Sequence, residues 1–213
     1  MHISNNLGLG AGIIRMYFYD CFLKGCDASM LLDSTPGNSS EKEHPANNPS
    51  MRGPEVINEA KARIETLFTI RDSSYKLGRI KYAIPAGRRD GHVSICNQVS
   101  QNLPPPSFNS QQLIGNFVRK GMPAEEMVSL SGAHSIGISR CFSFSNILYS
   151  FNITHAQDPS IDPGYRAFLK TKCPSTSTNS NRDLPIQLDP TPTHLDNRFP
   201  MELTKNRGLL TSD

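Results

Sequence analysis

No run of lysine or arginine occurs in this chain, and its net charge is only +3, so charge points to no nucleic-acid partner. No apolar stretch reaches the length of a membrane-spanning helix, which excludes a membrane partner of that kind. The opening Met-His-Ile-Ser-Asn-Asn has neither a basic region nor an apolar one, so no signal peptide is expected from it. Internal repeats and low-complexity tracts are also missing. Apolar content, at 37%, is low for a globular chain, while 16 prolines and 15 glycines imply many loops. Even so, 213 residues can bury a sizeable core, in one large or two small domains.

Cysteine is present in five copies, two of them close together. That usage suits an oxidising compartment better than the cytosol. The triplets Asn38-Ser-Ser and Asn152-Ile-Thr fit glycosylation acceptors and point the same way. Together with the start, these features suggest a fragment or a sequence lacking its natural beginning.

The most informative stretch is Arg15-Met-Tyr-Phe-Tyr-Asp-Cys-Phe-Leu-Lys-Gly-Cys-Asp-Ala-Ser29. Helical spacing predicts a first helix over 9–23, with Arg15, Phe18 and Tyr19 at i, i+3 and i+4 on one face. Asp20, Asp27 and Ser29 then supply hard oxygen ligands, and carbonyls near Leu23 and Gly25 could complete a calcium shell. Cys21 and Cys26 are near enough to close a small ring there. Val56, Ala60, Ile64 and Leu67 predict a second helix over 55–68. Residues 78–94, with Tyr82, Ile84 and Val93, read as loop or short strand, and Leu103-Pro-Pro-Pro106 as a rigid extended segment. Leu113, Ile114, Phe117 and Val118 mark a third helix that stops at Gly121. Pro123 opens a fourth, with Glu125 and Glu126 in its first turn. Short helices are expected at about 141–150 and 196–206, with a polar loop between. The fold class is mostly α.

The Arg15–Ser29 stretch resembles the distal signature of the secretory plant haem peroxidases (class III), R-x-x-F-H-D-C-F-x-x-G-C-D-A-S, with the histidine replaced by Tyr19. Leu130-Ser-Gly-Ala-His-Ser-Ile-Gly137 resembles the same family's proximal motif, which makes His134 the expected fifth ligand to haem iron. Gly208-Leu-Leu-Thr-Ser-Asp213 resembles the segment whose aspartate holds that histidine's other nitrogen, here Asp213. The resemblance implies a two-lobed helical bundle with haem between the lobes, a distal lobe over about 1–105 and a proximal lobe over about 106–213. It also implies that the fold is incomplete, lacking the N-terminal helix, one internal helix after Thr66 and the C-terminal end.

Further positions follow from the resemblance. Arg15 becomes the distal electrostatic catalyst, Phe18 a wall of the haem pocket, and Asn47 the asparagine that would bond a distal histidine, here with an altered partner. Pro104 offers its carbonyl to phenolic donors. One calcium would take Asp20, Leu23, Gly25, Asp27, Ser29 and, through water, Glu41. A second would take Ser135, Asp189, Thr191, His194 and Asp196, in a segment one residue shorter than the family's. The disulfides would be Cys21–Cys26 and Cys141–Cys173, leaving Cys96 as a free or intermolecular thiol.

The implied protein is a secreted monomer using haem b and two calcium ions to reduce hydrogen peroxide and oxidise small phenols, in hydrogen peroxide catabolism and the response to oxidative stress. Imidazole titrates near 6.5 and can take and return a proton, whereas a phenol near 10 is a poor base. Tyr19 therefore predicts slow peroxide cleavage, about 10²–10⁴-fold below a histidine enzyme. The rival readings are a haem- or calcium-binding pseudoenzyme, a truncated product that does not fold, and a calcium-binding extracellular interaction module that needs only the Asp20–Ser29 loop.

Overall fold

The computed structural model describes residue 6 and residues 8–67, 89–175 and 183–213. The chain divides into two compact units, Met1–Gln101 and Asn102–Asp213.

In the first unit, helix α1 runs Gly8–Leu23. Leu9, Met16, Asp20 and Leu23 form its buried stripe, a spacing of seven, four and three residues that keeps them on one side of a 3.6-residue helix. A carboxylate within an otherwise apolar stripe is the first sign that this face serves more than packing. Two 3-10 turns follow, Ser29–Leu31 and Glu41–Glu43. Helix α2 spans Pro54–Leu67, in register with the predicted second helix, and begins on proline, whose fixed φ suits a first helical position. Helix α3, Cys96–Asn102, was not anticipated: its sequence is polar apart from the fully buried Val99. Most of the predicted loop or strand at 78–94, including Tyr82 and Ile84, lies outside the described residues. Residues 89–94 carry no strand.

In the second unit, α4 covers Ser110–Val118 and starts with a reciprocal cap. Asn109 Oδ1 accepts from Gln112 N at 2.9 Å, and Gln112 Oε1 accepts from Asn109 N at 3.0 Å. Helix α5, Ala124–Ser131, follows Pro123 and carries Glu125 and Glu126 in its first turn, as expected. Strands β1 (Ile138–Arg140) and β2 (Pro185–Gln187) pair antiparallel, Ser139 opposite Ile186. Helix α6 is Cys141–Tyr149 and α8 is Arg198–Leu203.

Between them lies α7, Pro163–Lys172, inside the segment expected to be a polar loop. Asp162 caps it, accepting from Tyr165 N at 2.8 Å, and Pro163 opens it. The core of this unit gathers Phe144, Ile147 and Leu148 of α6, Ile161, Leu169 of α7 and Leu209 around the Cys141–Cys173 disulfide. Each such apolar side chain contributes about 2 kcal/mol by leaving water. Leu169 anchors α7 to this core although its neighbours are polar, and so tertiary burial makes the helix. Among the described residues eight α-helices and one two-stranded sheet make the fold mostly α, as the periodicity predicts.

Candidate functional site

Four groups of side chains stand out, two in each unit. On α1, Arg15, Phe18 and Tyr19 share a face as predicted. The Arg15 guanidinium carbon lies 4.9 Å from the Tyr19 ring centre, and Phe18 packs on Phe22 at 4.9 Å between centroids. Arg15 also donates to Ala46 O at 2.7 Å, Ser50 O at 3.2 Å and Ser50 Oγ at 3.1 Å. Its cation is thus held by the 44–51 loop. Tyr19 Oη makes no hydrogen bond among the described residues. Asn47 is buried and donates to Glu41 O at 2.7 Å, while its Oδ1 is sealed from water without a partner. The oxygen that would accept from a distal histidine is thus left without a partner, while the amide nitrogen bonds a backbone carbonyl.

The second group is the acid loop that follows. Asp20, Ser29 and Glu41 are buried and Asp27 is half-buried. Asp20 accepts from Ala28 N at 3.0 Å and Met30 N at 3.3 Å, and Ser29 Oγ donates to Glu41 Oε2 at 3.4 Å. Cys21–Cys26 closes the loop. Gly25 turns it with φ of +144°, a conformation that a side chain would resist. Burial lifts the Asp20 carboxyl above its ordinary value, and the neighbouring Asp27 adds to that lift. Burial likewise lifts Glu41, with Asp20 and Asp27 both contributing. These acids repel one another, and among the described residues no three of His, Cys, Asp or Glu converge into a ready-made metal cluster. The predicted shell has only two direct carboxylates, with carbonyls and a hydroxyl completing it.

The third group centres on His134. It stands in a 3-10 turn, Gly132–Ser135, just beyond α5 and not at the helix end where the spacing put it. Its Nδ1 is buried with no hydrogen-bond partner, and its ring meets Phe199 of α8 edge-on at 5.5 Å. Burial lowers its basicity and so keeps the imidazole neutral, the form that can donate a nitrogen lone pair. The Asp213 carboxyl opposes this in part. Asp213 is exposed as a residue, but its carboxyl turns inward. Oδ2 accepts from Leu209 N at 3.0 Å and Leu210 N at 2.9 Å, leaving no room for a Cβ at Gly208. Burial raises the Asp213 carboxyl. Asp213 thus acts on His134 through its field, not through a formed bond.

The second acid loop is built differently. Thr191 N and Oγ1 both donate to Asp189 Oδ1, and Thr191 Oγ1 also lies 2.8 Å from Asp196 Oδ2. Asp196 N donates to Ser135 Oγ at 3.2 Å, and His194 N to Thr191 O at 2.9 Å. Asp189 Oδ2 is buried and unpartnered. Pro104 is half-buried between α3 and α4, and its carbonyl accepts no hydrogen bond among the described residues. Cys96 carries a free thiol at the start of α3.

The sequence matches the peroxidase family over residues 1–213. The chain belongs to that family. It is 50% identical to Peroxidase 5 of Vitis vinifera over 97% of its own length and 66% of that protein's. It is 39% identical to Peroxidase 66 of Arabidopsis thaliana, covering 95% of the chain and 66% of the relative, and 38% identical to Peroxidase 1 of Zea mays, covering 99% and 61%. The chain therefore spans just under two thirds of the length of these curated relatives. It is a class III plant peroxidase by family, a family of haem proteins that carry calcium.

Several residues of this peroxidase chain escape a reading by motif. Phe199 against His134 is one. Gly91, whose amide donates to Asp27 O at 2.6 Å, and Ser94, whose hydroxyl accepts from Glu41 N at 2.9 Å, are two more. The first acid loop is thus closed by a segment more than fifty positions downstream of Glu41 or Asp27. Only the polarity of 90–94 hinted at such contacts.

Proposed function

We propose that this chain is a haem-dependent peroxidase that reduces hydrogen peroxide at the expense of small phenolic donors. His134 carries this reading: a neutral imidazole with a buried, unpartnered Nδ1 and a carboxylate field beside it, in a chain of the peroxidase family. The residues fit the group. A buried imidazole kept neutral is a competent ligand to iron, and an orphaned ring nitrogen calls for the acceptor that Asp213 offers.

Haem b, when bound, supplies the iron at which hydrogen peroxide is reduced. His134 would hold it, the Asp213 charge would act on His134, and Phe18 would form part of the surrounding wall. The Arg15 guanidinium stabilises negative charge on the departing oxygen, an electrostatic contribution that needs no proton transfer. Tyr19 stands where a base is wanted, and a phenol performs that task less well than imidazole. Pro104, with a free carbonyl, accepts from the hydroxyl of a phenolic donor.

We assign the first unit to the distal lobe and the second to the proximal lobe. The raised carboxyls of Asp20 and Glu41, lifted by burial and by neighbouring acids, support one calcium at Asp20, Leu23, Gly25, Asp27, Ser29 and Glu41, since a divalent cation would relieve the repulsion. The bare Asp189 Oδ2 supports a second, weaker site with Ser135, Thr191, His194 and Asp196. Two disulfides suit a secreted protein, and the partners are small molecules acting on a monomer. No described helix is long and apolar enough to cross a membrane.

A second reading, an impaired haem-binding relative, draws on Arg15, whose donors are committed to Ala46 and Ser50. Tyr19→His tests the acid/base account that both readings share. Stopped-flow peroxide consumption by the haem-loaded chain is expected to rise by about 10²–10⁴-fold in the variant. Equal rates would defeat the acid/base account. A parent that shows no Soret band with hemin would remove the haem reading altogether.

A further inference from the structure

His44 sits in the 44–51 loop with both ring nitrogens engaged. Ala46 N donates to Nδ1 at 3.1 Å, and Nε2 lies 2.6 Å from Ser100 Oγ of α3. A serine this close to an imidazole invites a nucleophile–base reading. The tautomer excludes it. A nitrogen that accepts an amide hydrogen carries no proton, so the neutral ring holds its proton on Nε2 and donates to Ser100. Ser100 cannot pass a proton to a nitrogen that is already protonated, so it serves as an anchor for the ring.

The consequence falls on Arg15. Ala46 has its amide on His44 and its carbonyl on the Arg15 guanidinium, at 2.7 Å, with Ser50 Oγ donating to the same carbonyl at 2.9 Å. Backbone bonds set the internal shape of the loop: Asn47 N and Asn48 N both donate to His44 O, at 2.7 and 2.9 Å. His44 adds what they lack, a side-chain tether from the loop to α3. We propose that His44 is a positioning residue that fixes the Ala46 peptide, through which the loop holds Arg15 over the Tyr19 ring. Its relevance to catalysis rests on reading Arg15 as the electrostatic catalyst.

The test uses the full chain with labelled histidine and arginine. Long-range ¹⁵N–¹H correlations are expected to place the His44 proton on Nε2. His44→Phe keeps a ring and loses the acceptor, and should speed hydrogen exchange at the Arg15 guanidinium about fivefold, the weight of one net hydrogen bond. His44→Asn keeps an acceptor two residues before Ala46 but loses the reach to Ser100, and should exchange about threefold faster than the parent, between the parent and His44→Phe. A proton on Nδ1 would overturn the proposal, as would parent-like Arg15 exchange in a folded His44→Phe. If that variant does not fold, Ser100→Ala replaces it, with about threefold faster exchange expected and unchanged exchange refuting the tether. Peroxide consumption by the haem-loaded chain should fall in His44→Phe and be recovered only in part in His44→Asn. A haem-loaded parent without peroxide turnover refutes the functional reading, while the tautomer and the exchange rates still decide this one.

Discussion

The two acid loops use the same residue types toward opposite electrostatic ends. In the first, Asp20 and Glu41 are buried, and burial raises both carboxyls, with Asp27 adding to the lift of Asp20, and Asp20 and Asp27 to that of Glu41. In the second, the Arg198 amide and then the Thr191 hydroxyl hold the Asp196 carboxyl below its ordinary value. Thr191 bridges both acids, so only Asp189 Oδ2 is left bare. At Asp196 hydrogen bonds outweigh burial, whereas at Asp20 and Glu41 burial outweighs the donors they have, which leaves more for an added cation to relieve in the first loop. Counting direct carboxylates, two in each set, would rank the loops as equals, whereas the balance of burial and donors ranks the first well ahead.

The disulfides extend the contrast and give the largest expected effect. Cys141–Cys173 closes a separation of 32 residues, and Cys21–Cys26 one of only 5. Loop-closure entropy assigns about 4 kcal/mol to the longer bridge and about 2 kcal/mol to the shorter. Replacing each pair by alanine and following urea unfolding checks the order. A larger loss from the short pair would mean that Cys21–Cys26 acts chiefly by shaping the acid loop and not by constraining the unfolded chain.

Calcium sharpens the comparison at the next level. Saturating calcium at about 100 times its Kd should stabilise the parent by about 2.7 kcal/mol against chelator. Glu41→Gln should remove most of that gain, because it takes away a buried charge whose desolvation outweighs the hydrogen bonds it receives. Asp189→Asn should remove about 1 kcal/mol at most, since Thr191 already satisfies the other oxygen. Thermal melts with and without chelator measure both. Equal losses would place the two loops on the same footing and break the argument from donors.

Which parts of this were legible in sequence follows the range of the interactions. α1, α4 and α5 could be read because their apolar spacing and caps are local. The Arg15–Phe18–Tyr19 face could be read for the same reason, and both disulfides fell where the resemblance put them. His134 was found by motif but misplaced by one turn, since only the φ/ψ of Gly132–Ser135 tell a 3-10 turn from a continued helix. α7 was missed because a single buried Leu169 fixes it, below the threshold of a periodic signal. The clasp of Arg15 by Ala46 and Ser50, the closing of the first acid loop by Gly91 and Ser94, and the edge of Phe199 on His134 join residues 31 to 65 positions apart. No local pattern encodes such contacts.

The smallest effect isolates one surface network of the second unit. Glu202 accepts from Lys205 Nζ at 2.7 Å, and Arg207 Nη1 lies 3.5 Å from its other oxygen. The Lys205 ammonium, ahead of Arg207, holds the Glu202 carboxyl below its ordinary value of 4.5. A group whose folded value is depressed binds its proton more weakly in the fold than in the unfolded chain. Its stabilisation is therefore complete above pH 4.5 and is lost as pH falls through the lower, folded value. Glu202→Gln should cost about 0.5 kcal/mol at neutral pH, and the difference from the parent should close in acid. Tyr165 gives an independent check. Burial first, then the charges of Glu202 and Asp213, push its hydroxyl up to about 12. Removing the Glu202 charge should bring its titration, followed by phenolate absorbance, back down. A variant that loses stability equally at every pH, with Tyr165 unmoved, would show that Glu202 contributes through packing and not through its charge.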